Sequence, residues 1–554
     1  MSGAIVENLS GRKLAVLTGF LLACLISCFL LGGLVAPAPS NVQVALGVKC
    51  LDPTFNKSGW FYSRGKGACQ SIEDFTDPLV LQRSLTANNI VFSFQLPLPR
   101  EGVSLDYSRW MQNLIGVLQV DIAYRSDDEM GVSSGLNKTG IEQRPTMTIE
   151  AKLGYSNQGD AAGDWKFYAG STEQRILDCT IDQKIEDYYY KCDLLPLFEL
   201  GSLHHDFYLL NLRLPVYEDR DTNKNLGAIK DLWLVAINQN GGFTKVWISL
   251  KTFFFPLSVG VTVWYWRRVL MLSRESALLE RMLLAVGIAL SFLNLPLEYF
   301  TLAFDMPYML LIGDIRQGIF YVILLSFWLV FAGEHLMVSD DPDRNRLWKY
   351  RKHLSSVGVG CLCMFLFDMC ERGVQLSNPF YSIWSKESEA KIALAFVIIA
   401  GVCAGLYFVF LCYMVFRVFR NIGAKRNALP TMSMARRLFY EGVMYRFKVL
   451  MLATIVCSGM TIAGFILGQV SEGKWKWDEN IELEYTSAFF TGVYGMCNVY
   501  IIALLCLYAP SHKRWPSESG TDGFTGEEIE FSPLPTEPSE LSTLTDLVRK
   551  TATD

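Results

Sequence analysis

Long apolar runs alternate along this chain with charged loops, and one polar stretch of about 200 residues interrupts them after the first run. A helix needs roughly 20 mostly apolar residues to cross a bilayer. Eight segments reach or approach that length: about 14–35, 246–266, 282–304, 309–332, 355–370, 392–416, 447–470 and 486–507. The fourth carries Asp314 and Arg316 and the fifth is short, so composition defines those two least well. The first run admits two readings. Arg12 and Lys13 before it and Ala36-Pro37-Ala38 after it fit a cleaved signal peptide. Its apolar run exceeds a usual signal core, and Pro39 follows the would-be cut, so a retained signal-anchor helix is expected.

Residues 36–245 have a different period. In 90–98 (IVFSFQLPL), 117–124 (VLQVDIAY), 146–153 (TMTIEAKL) and parts of 207–216 (FYLLNLRLPV), apolar and polar side chains alternate. Alternation puts one face of a strand on a core and the other toward water. Gly, Pro, Asn and Asp clusters separate these runs, as in a sandwich or barrel. Asn240-Gly241-Gly242 reads as a turn ahead of the second span. The expected fold is an α-helical multi-span membrane protein of eight transmembrane helices, the last seven resembling a G-protein-coupled receptor in number, with an inserted lumenal β-sandwich. Its domains are a cytosolic start (1–13), a first helix (14–35), a lumenal β-rich domain (36–245), a seven-helix bundle (246–510) and a disordered cytosolic tail (511–554).

Composition agrees with the membrane assignment: 51% of residues are hydrophobic. A net charge of −5 offers no footprint for nucleic acid. Basic residues sort the loops. Arg12 and Lys13 precede the first span. Arg267, Arg268, Arg274 and Arg281 lie between the second and third, and Arg344, Arg346, Lys349, Arg351 and Lys352 between the fourth and fifth. A third set, from Arg417 to Lys448, lies between the sixth and seventh. All fall on one side only if there are eight spans, which makes both termini cytosolic and 36–245 lumenal. Sequons at Asn56 and Asn137 fall in the lumenal stretch as candidate glycosylation sites. Of 14 cysteines, Cys50, Cys69, Cys179 and Cys192 lie in that polar stretch. Four cysteines allow three pairings. Cys50–Cys69 and Cys179–Cys192 are expected because each pair is close in sequence, in an oxidising lumen.

Ionisable residues within or beside spans are expensive and mark a cavity or an internal pair. Glu298, Asp314, Arg316, Asp368, Glu371 and Arg372 all fall toward the lumenal ends of spans three to five. Asp314 and Arg316 are two apart, so they point to different helix faces and need partners on other spans. Arg316 with Glu298 and Arg372 with Asp314 are the expected pairs. The functional reading is a polar-rimmed mouth over an apolar cavity, and the bland one is helix-end charge at headgroup level. Pro296, after Asn294-Leu295, is expected to kink span three. No HExxH, P-loop or GxSxG context appears, and Glu334-His335 lacks the second histidine of a zinc helix. Neither catalysis, a metal nor a cofactor is expected. Tyr440-Glu441-Gly442-Val443, in the most basic cytosolic loop, fits the tyrosine–x–x–bulky-apolar endocytic pattern, with Tyr440 and Val443 as its anchors. That loop also suits contact with anionic membrane lipids.

A signalling receptor is the competing class. However, the third helix of the seven-helix set ends Gly333-Glu334-His335-Leu336, without an acidic–Arg–aromatic triplet, and the last reads Asn498-Val499-Tyr500 rather than NPxxY. Other runs resemble the Wntless family, the cargo receptors for lipid-modified Wnt proteins. They are Gln239-Asn240-Gly241-Gly242-Phe243-Thr244-Lys245-Val246-Trp247, Val263-Trp264-Tyr265-Trp266-Arg267-Arg268, Gly313-Asp314-Ile315-Arg316-Gln317-Gly318, Phe367-Asp368-Met369-Cys370-Glu371-Arg372 and Asn378-Pro379-Phe380-Tyr381. The similarity runs from Gly3 to Lys513, is weakest in 51–230, and is insect-like. The resemblance implies a lumenal β-sandwich that holds acylated Wnt proteins and spans that receive the acyl chain. It also implies a cycle through Golgi, plasma membrane and endosome, with the endoplasmic reticulum in transit and the presynaptic membrane as a further station. A clathrin adaptor would act at the Tyr440 motif and retromer would return the protein. The chain ends Lys550-Thr551-Ala552-Thr553-Asp554, without the vertebrate retrieval ending. An acyl slot is then expected among spans three to six, with Phe292, Leu295, Tyr299, Phe320, Phe367 and Phe396 as candidate liners, each also explicable as helix packing.

Overall fold

The structure, a computed structural model, describes residues 5, 11–52, 62, 69–72, 87–99, 105–125, 145–161, 163–217, 222–223, 226–272, 275–334, 347–426, 445, 448–464 and 486–510. Asn56, Asn137, Tyr440, Val443 and the tail lie outside the described residues.

Helix α1 (Gly11–Leu30) continues as a short π-helix over Leu31–Val35. The chain then enters a sandwich of two antiparallel sheets. The smaller has the order β1-β11-β4-β9, from β1 (Ser40–Leu46), β11 (Ala228–Gln239), β4 (Leu114–Ala123) and β9 (Leu195–Leu200). The larger runs β2-β3-β10-β5-β6, from β2 (Val48–Leu51), β3 (Ile90–Leu96), β10 (Phe207–Arg213), β5 (Thr146–Ser156) and β6 (Lys166–Ile176). A small ribbon pairs β7 (Cys179–Thr180) with β8 (Lys191–Cys192). The four alternating runs fall on β3, β4, β5 and β10. Phe94, Leu118, Ile149, Leu210 and Leu234, from both sheets, close one core.

The expected two-faced character fails at β3 and β10, which are buried on both faces. Their outward polar groups are satisfied locally. Asn211 donates to Ser93 Oγ at 3.2 Å, and buried Arg213 meets Asp52 at 2.5 Å. Two disulfides join Cys50 to Cys69 and Cys179 to Cys192.

Helix α2 (Gly241–Leu270) begins at once after β11, five residues before the expected 246. The apparent turn Asn240-Gly241-Gly242 is its cap: Asn240 Oδ1 accepts from the Gly242 amide at 2.9 Å. The remaining helices are α3 (Leu278–Asn294), α4 (Met309–Glu334), α5 (Arg351–Gln375), α6 (Glu387–Arg426), α7 (Lys448–Gly464) and α8 (Thr486–Tyr508). Among the described residues, seven are long and apolar enough to span a membrane, and α7 is a shorter apolar helix. This is a multi-pass membrane protein. Span three was expected to bend at Pro296. Instead α3 ends at Asn294 and a separate 3-10 turn follows over Leu297–Leu302, because proline cannot donate to the ladder. Span five is longer than its apolar run, since Arg351 to His353 and Glu371 to Gln375 are helical as well.

Helix α1 lies antiparallel to α8. Phe29 and Cys28 fill the space left by Gly492 and Gly495, and Gly32 abuts Thr491 and Ser487. The Ile5 amide donates to the Ala509 carbonyl at 3.0 Å, so the beginning of α1 and the end of α8 share one side of the bundle.

Candidate functional site

The break after α3 exposes carbonyls that have lost their helical donors. Arg316, from the first turns of α4 and 1% exposed, supplies new ones. Its Nε donates to Phe292 O at 3.2 Å and its Nη2 to Leu295 O at 2.5 Å and to Leu293 O. The guanidinium thus caps the negative end of α3, where a cation is favoured. It also lies 3.6 Å from Glu298 Oε1, and Lys251 from α2 donates to the same oxygen. A second layer sits beneath. Asn294 donates to Asn498 Oδ1 at 2.6 Å and accepts from the Tyr494 hydroxyl at 2.6 Å. Helices α2, α3, α4 and α8 therefore meet at the α3 break through buried polar side chains.

Nearer the sandwich, Arg372 at the end of α5 bridges two carboxylates. Its Nε is 2.7 Å from Asp314 on α4 and its Nη1 is 2.9 Å from Glu199 on β9. Both expected pairs, Glu298–Arg316 and Asp314–Arg372, are present as contacts. Their unexpected third members are Lys251 and Glu199. Lys251 is the one charged residue in the run 246–266, and a lone lysine in an apolar run is itself a signal. Glu199 has no such mark. Asp368 is half-buried and Glu371 buried, both on α5.

The loop 376–386 after α5 is built into the sandwich. Phe380 is fully buried in the β core, its ring 6.1 Å from that of Phe198. The Glu199 amide donates to Pro379 O at 2.9 Å. Buried Arg175 of β6 donates to Phe380 O at 2.5 Å and to Pro196 O at 2.7 Å. Asn378 donates to Glu173 Oε1 at 2.8 Å. On the other flank Arg109 donates to Leu302 O at 3.0 Å and Gln112 to Thr301 Oγ1 at 3.1 Å. Between these fastenings lies a cavity of about 180 Å³, lined by Tyr168, Glu199, Leu310, Arg372, Gln375 and Pro379 among others.

The candidate apolar liners divide. Phe320 is 2% exposed and belongs to the buried helix core with Leu283 and Leu324. Phe292 and Tyr299 stand exposed near the α3 break, and the Arg316 guanidinium lies 5.7 Å from the Phe292 ring. Leu295, Phe367 and Phe396 are half-buried. Histidines cluster in the sandwich: the His205 ring stacks on Tyr155 at 3.7 Å, and its Nδ1 lies 3.1 Å from Asn157 Oδ1. Burial, with a smaller push from His204, lowers its pKa.

This architecture, a strand domain pinned to a helix bundle, matches two family models end to end. Residues 48–239 match the Wntless GOLD domain and residues 240–512 the Wntless-like transmembrane domain. The chain belongs to the Wntless family. Over 575 residues, covering all of both chains, it is 56% identical to a protein named wntless from Drosophila virilis and 55% identical to one from Drosophila mojavensis. A Drosophila grimshawi protein of that name is 55% identical over 574 residues, again covering both chains completely. The boundary between the two Wntless models falls at β11 and the Asn240 cap of α2. The contacts of Glu199 with Arg372 and Pro379, of Arg175 and Phe198 with Phe380, of Glu173 with Asn378, and of Arg109 and Gln112 with Leu302 and Thr301 thus join one Wntless module to the other.

Proposed function

We propose that this chain is a cargo receptor that binds lipid-modified Wnt proteins in the secretory pathway and carries them to the cell surface for secretion. Membership of the Wntless family along the whole chain supports the reading. The observation that carries the mechanism is the fastening of a lumenal sandwich to the helices through Phe380 and the Glu199–Arg372–Asp314 chain. A secreted protein with a long acyl chain cannot leave that chain in water. At about 0.8 kcal/mol per buried methylene, roughly sixteen carbons are worth on the order of 10 kcal/mol. In this reading the helices shelter the acyl chain and the sandwich holds the protein body. Two linked contacts raise the effective affinity when the span between them lets both engage at once, which a fastened junction favours. Phe292, Leu295, Tyr299, Phe367 and Phe396 are the proposed liners, and Glu298, Asp314, Arg316, Asp368, Glu371 and Arg372 surround the lumenal mouth.

Both termini face the cytosol in this reading, a placement supported by the Ile5–Ala509 contact and the sorting of basic loops. Glycans are placed at Asn56 and Asn137. Tyr440 and Val443 recruit a clathrin adaptor, and retromer returns the receptor from endosome to Golgi. The test is a pull-down with acylated and acyl-site-deleted Wnt. Capture of the acylated form at least tenfold more strongly is expected, and equal capture would refute acyl sheltering.

A further inference from the structure

Three buried charges meet at the end of α3, and two of them are cations. Lys251 of α2 and Arg316 of α4 are buried, as is Glu298 on the 3-10 turn. A guanidinium and a carboxylate this close usually form a two-bond fork. Here the fork is not made. Arg316 Nη1 stops 3.6 Å from Glu298 Oε1, and neither Nη1 nor Glu298 Oε2 has a hydrogen bond among the described residues. Arg316 turns its Nε and Nη2 to the carbonyls of Phe292, Leu293 and Leu295 instead. Lys251 holds the Glu298 oxygen that Arg316 approaches. The same bonds fix two exposed rings. The Phe292 ring lies 5.7 Å from the guanidinium, and the Tyr299 hydroxyl accepts from Thr252 Oγ1 at 3.2 Å. Consecutive residues of α2, Lys251 and Thr252, thus hold consecutive residues of the turn, Glu298 and Tyr299.

We infer that Lys251 is a positioning residue for the acyl-chain slot: by holding Glu298 it keeps Arg316 on the end of α3, and with it Phe292 and Tyr299 in the places where they meet the chain. The inference rests on the acyl-sheltering reading above. Lys251 acts through the choice of partner for Arg316. Without the ammonium, Glu298 has one cation left. At low dielectric an ion pair outweighs bonds from a guanidinium to neutral carbonyls, so the fork closes. Closing it draws Nη2 from Leu293 and Leu295, and the end of α3 loses its cap. The chain should still fold, because one carboxylate then faces one guanidinium and no buried carboxylate is left alone. Neutralising Glu298 as well removes the competing acceptor and returns Arg316 to the carbonyls.

The test uses the full-length chain purified in detergent and pull-downs with acylated and acyl-site-deleted Wnt. Lys251→Met should lower the ratio of acylated to acyl-free capture at least fivefold. Lys251→Met with Glu298→Gln should regain most of that loss, and Lys251→Arg, which keeps the charge, should lose less than Lys251→Met. A second readout needs no cargo. The Leu297 amide donates to Leu295 O at 2.8 Å and the Tyr299 amide to Pro296 O at 3.3 Å. Hydrogen exchange at both should quicken in Lys251→Met and slow again in the double variant. An unchanged ratio in Lys251→Met overturns the inference, and so does a double variant no better than the single one. Unchanged exchange at both amides overturns it too. A Lys251→Met chain that does not fold also overturns it, since the residue then serves the fold. In each case the preference of the unsubstituted chain for acylated cargo still stands. Lack of that preference in the unsubstituted chain removes the acyl-sheltering reading and the inference together.

Discussion

Removing Phe380 tests whether the two modules are held together where the contacts place the fastening. Its side chain belongs to a loop between membrane helices yet is fully buried in the β core against Phe198. Truncating a buried phenylalanine to alanine costs ~3–5 kcal/mol, from lost transfer energy and the cavity left behind. The lower figure, about 3 kcal/mol, is about two decades in an opening equilibrium at about 1.4 kcal/mol per decade. The loss should appear locally, since the strand ladders do not depend on the loop. The reporter is the Glu199 amide, which is bonded to Pro379 O. In purified full-length chain, hydrogen exchange at Glu199 should accelerate about a hundredfold in Phe380→Ala through local opening. The β11–β4 ladder, from Ala228↔Ala123 to Asn238↔Leu114, should keep its protection. Phe380→Leu should fall between. Unchanged exchange at Glu199 would refute the fastening. Equal acceleration across β11 would show that the loop supports the whole sandwich.

Arg316→Ala uncovers the carbonyls at the end of α3 and takes a counter-charge from Glu298, so a loss of ~3–5 kcal/mol is expected; thermal unfolding in detergent should show a lower midpoint, and Arg316→Lys should recover only part because it lacks the fork. Gly492→Leu drives a side chain into Phe29, whose ring atoms lie 2.2 Å from an added Cβ; α1 should separate from α8, read by a lost cross-link between cysteines placed on the two helices, while Gly492→Ala with Phe29→Ala should retain it. His205 favours its neutral form in the fold because burial and His204 lower its pKa. Its contribution is complete above its unfolded value near 6.5 and is lost as pH falls through the lower folded value. Stability of the sandwich should drop on acidification below that point, and His205→Phe, which keeps the stack on Tyr155, should flatten the dependence in melts from pH 7 to 5.

The legible parts of this molecule are those set by a single large energy. Crossing a bilayer demands apolar length, and each of the eight expected runs overlaps a helix, seven of these being long and apolar enough to span among the described residues. Intramembrane charge demands a partner, and the two expected ion pairs stand on Arg316 and Arg372. Element limits were lost where a small local energy decides. Asn240 caps α2 five residues early by accepting one backbone bond. Proline after Leu295 ended α3 rather than bending it, because Arg316 on another helix was available to cap the exposed carbonyls. Glu199 and Phe380 could not be found by period. The lone glutamate of the apolar strand LPLFEL does not announce which cation it meets, and a phenylalanine in a loop looks ordinary, until tertiary contact brings them to Arg372 and Phe198.

The junction owes its rigidity to the sharing of one guanidinium. Glu199 comes from a strand and Asp314 from a membrane helix, and each finds its cation on Arg372. Without that cation, two carboxylates would face each other at the edge of a low-dielectric region, where like charges repel strongly. The arrangement therefore penalises separation twice. Moving the sandwich from the helices strips Arg372 of one acceptor, and moving α5 from α4 strips it of the other. Phe380 follows on the loop after α5, so moving that end of α5 away from the sandwich also draws its ring from the β core. The charge pattern ties strand to helix on the α5 side, while Arg109 and Gln112 fasten the other flank to Leu302 and Thr301.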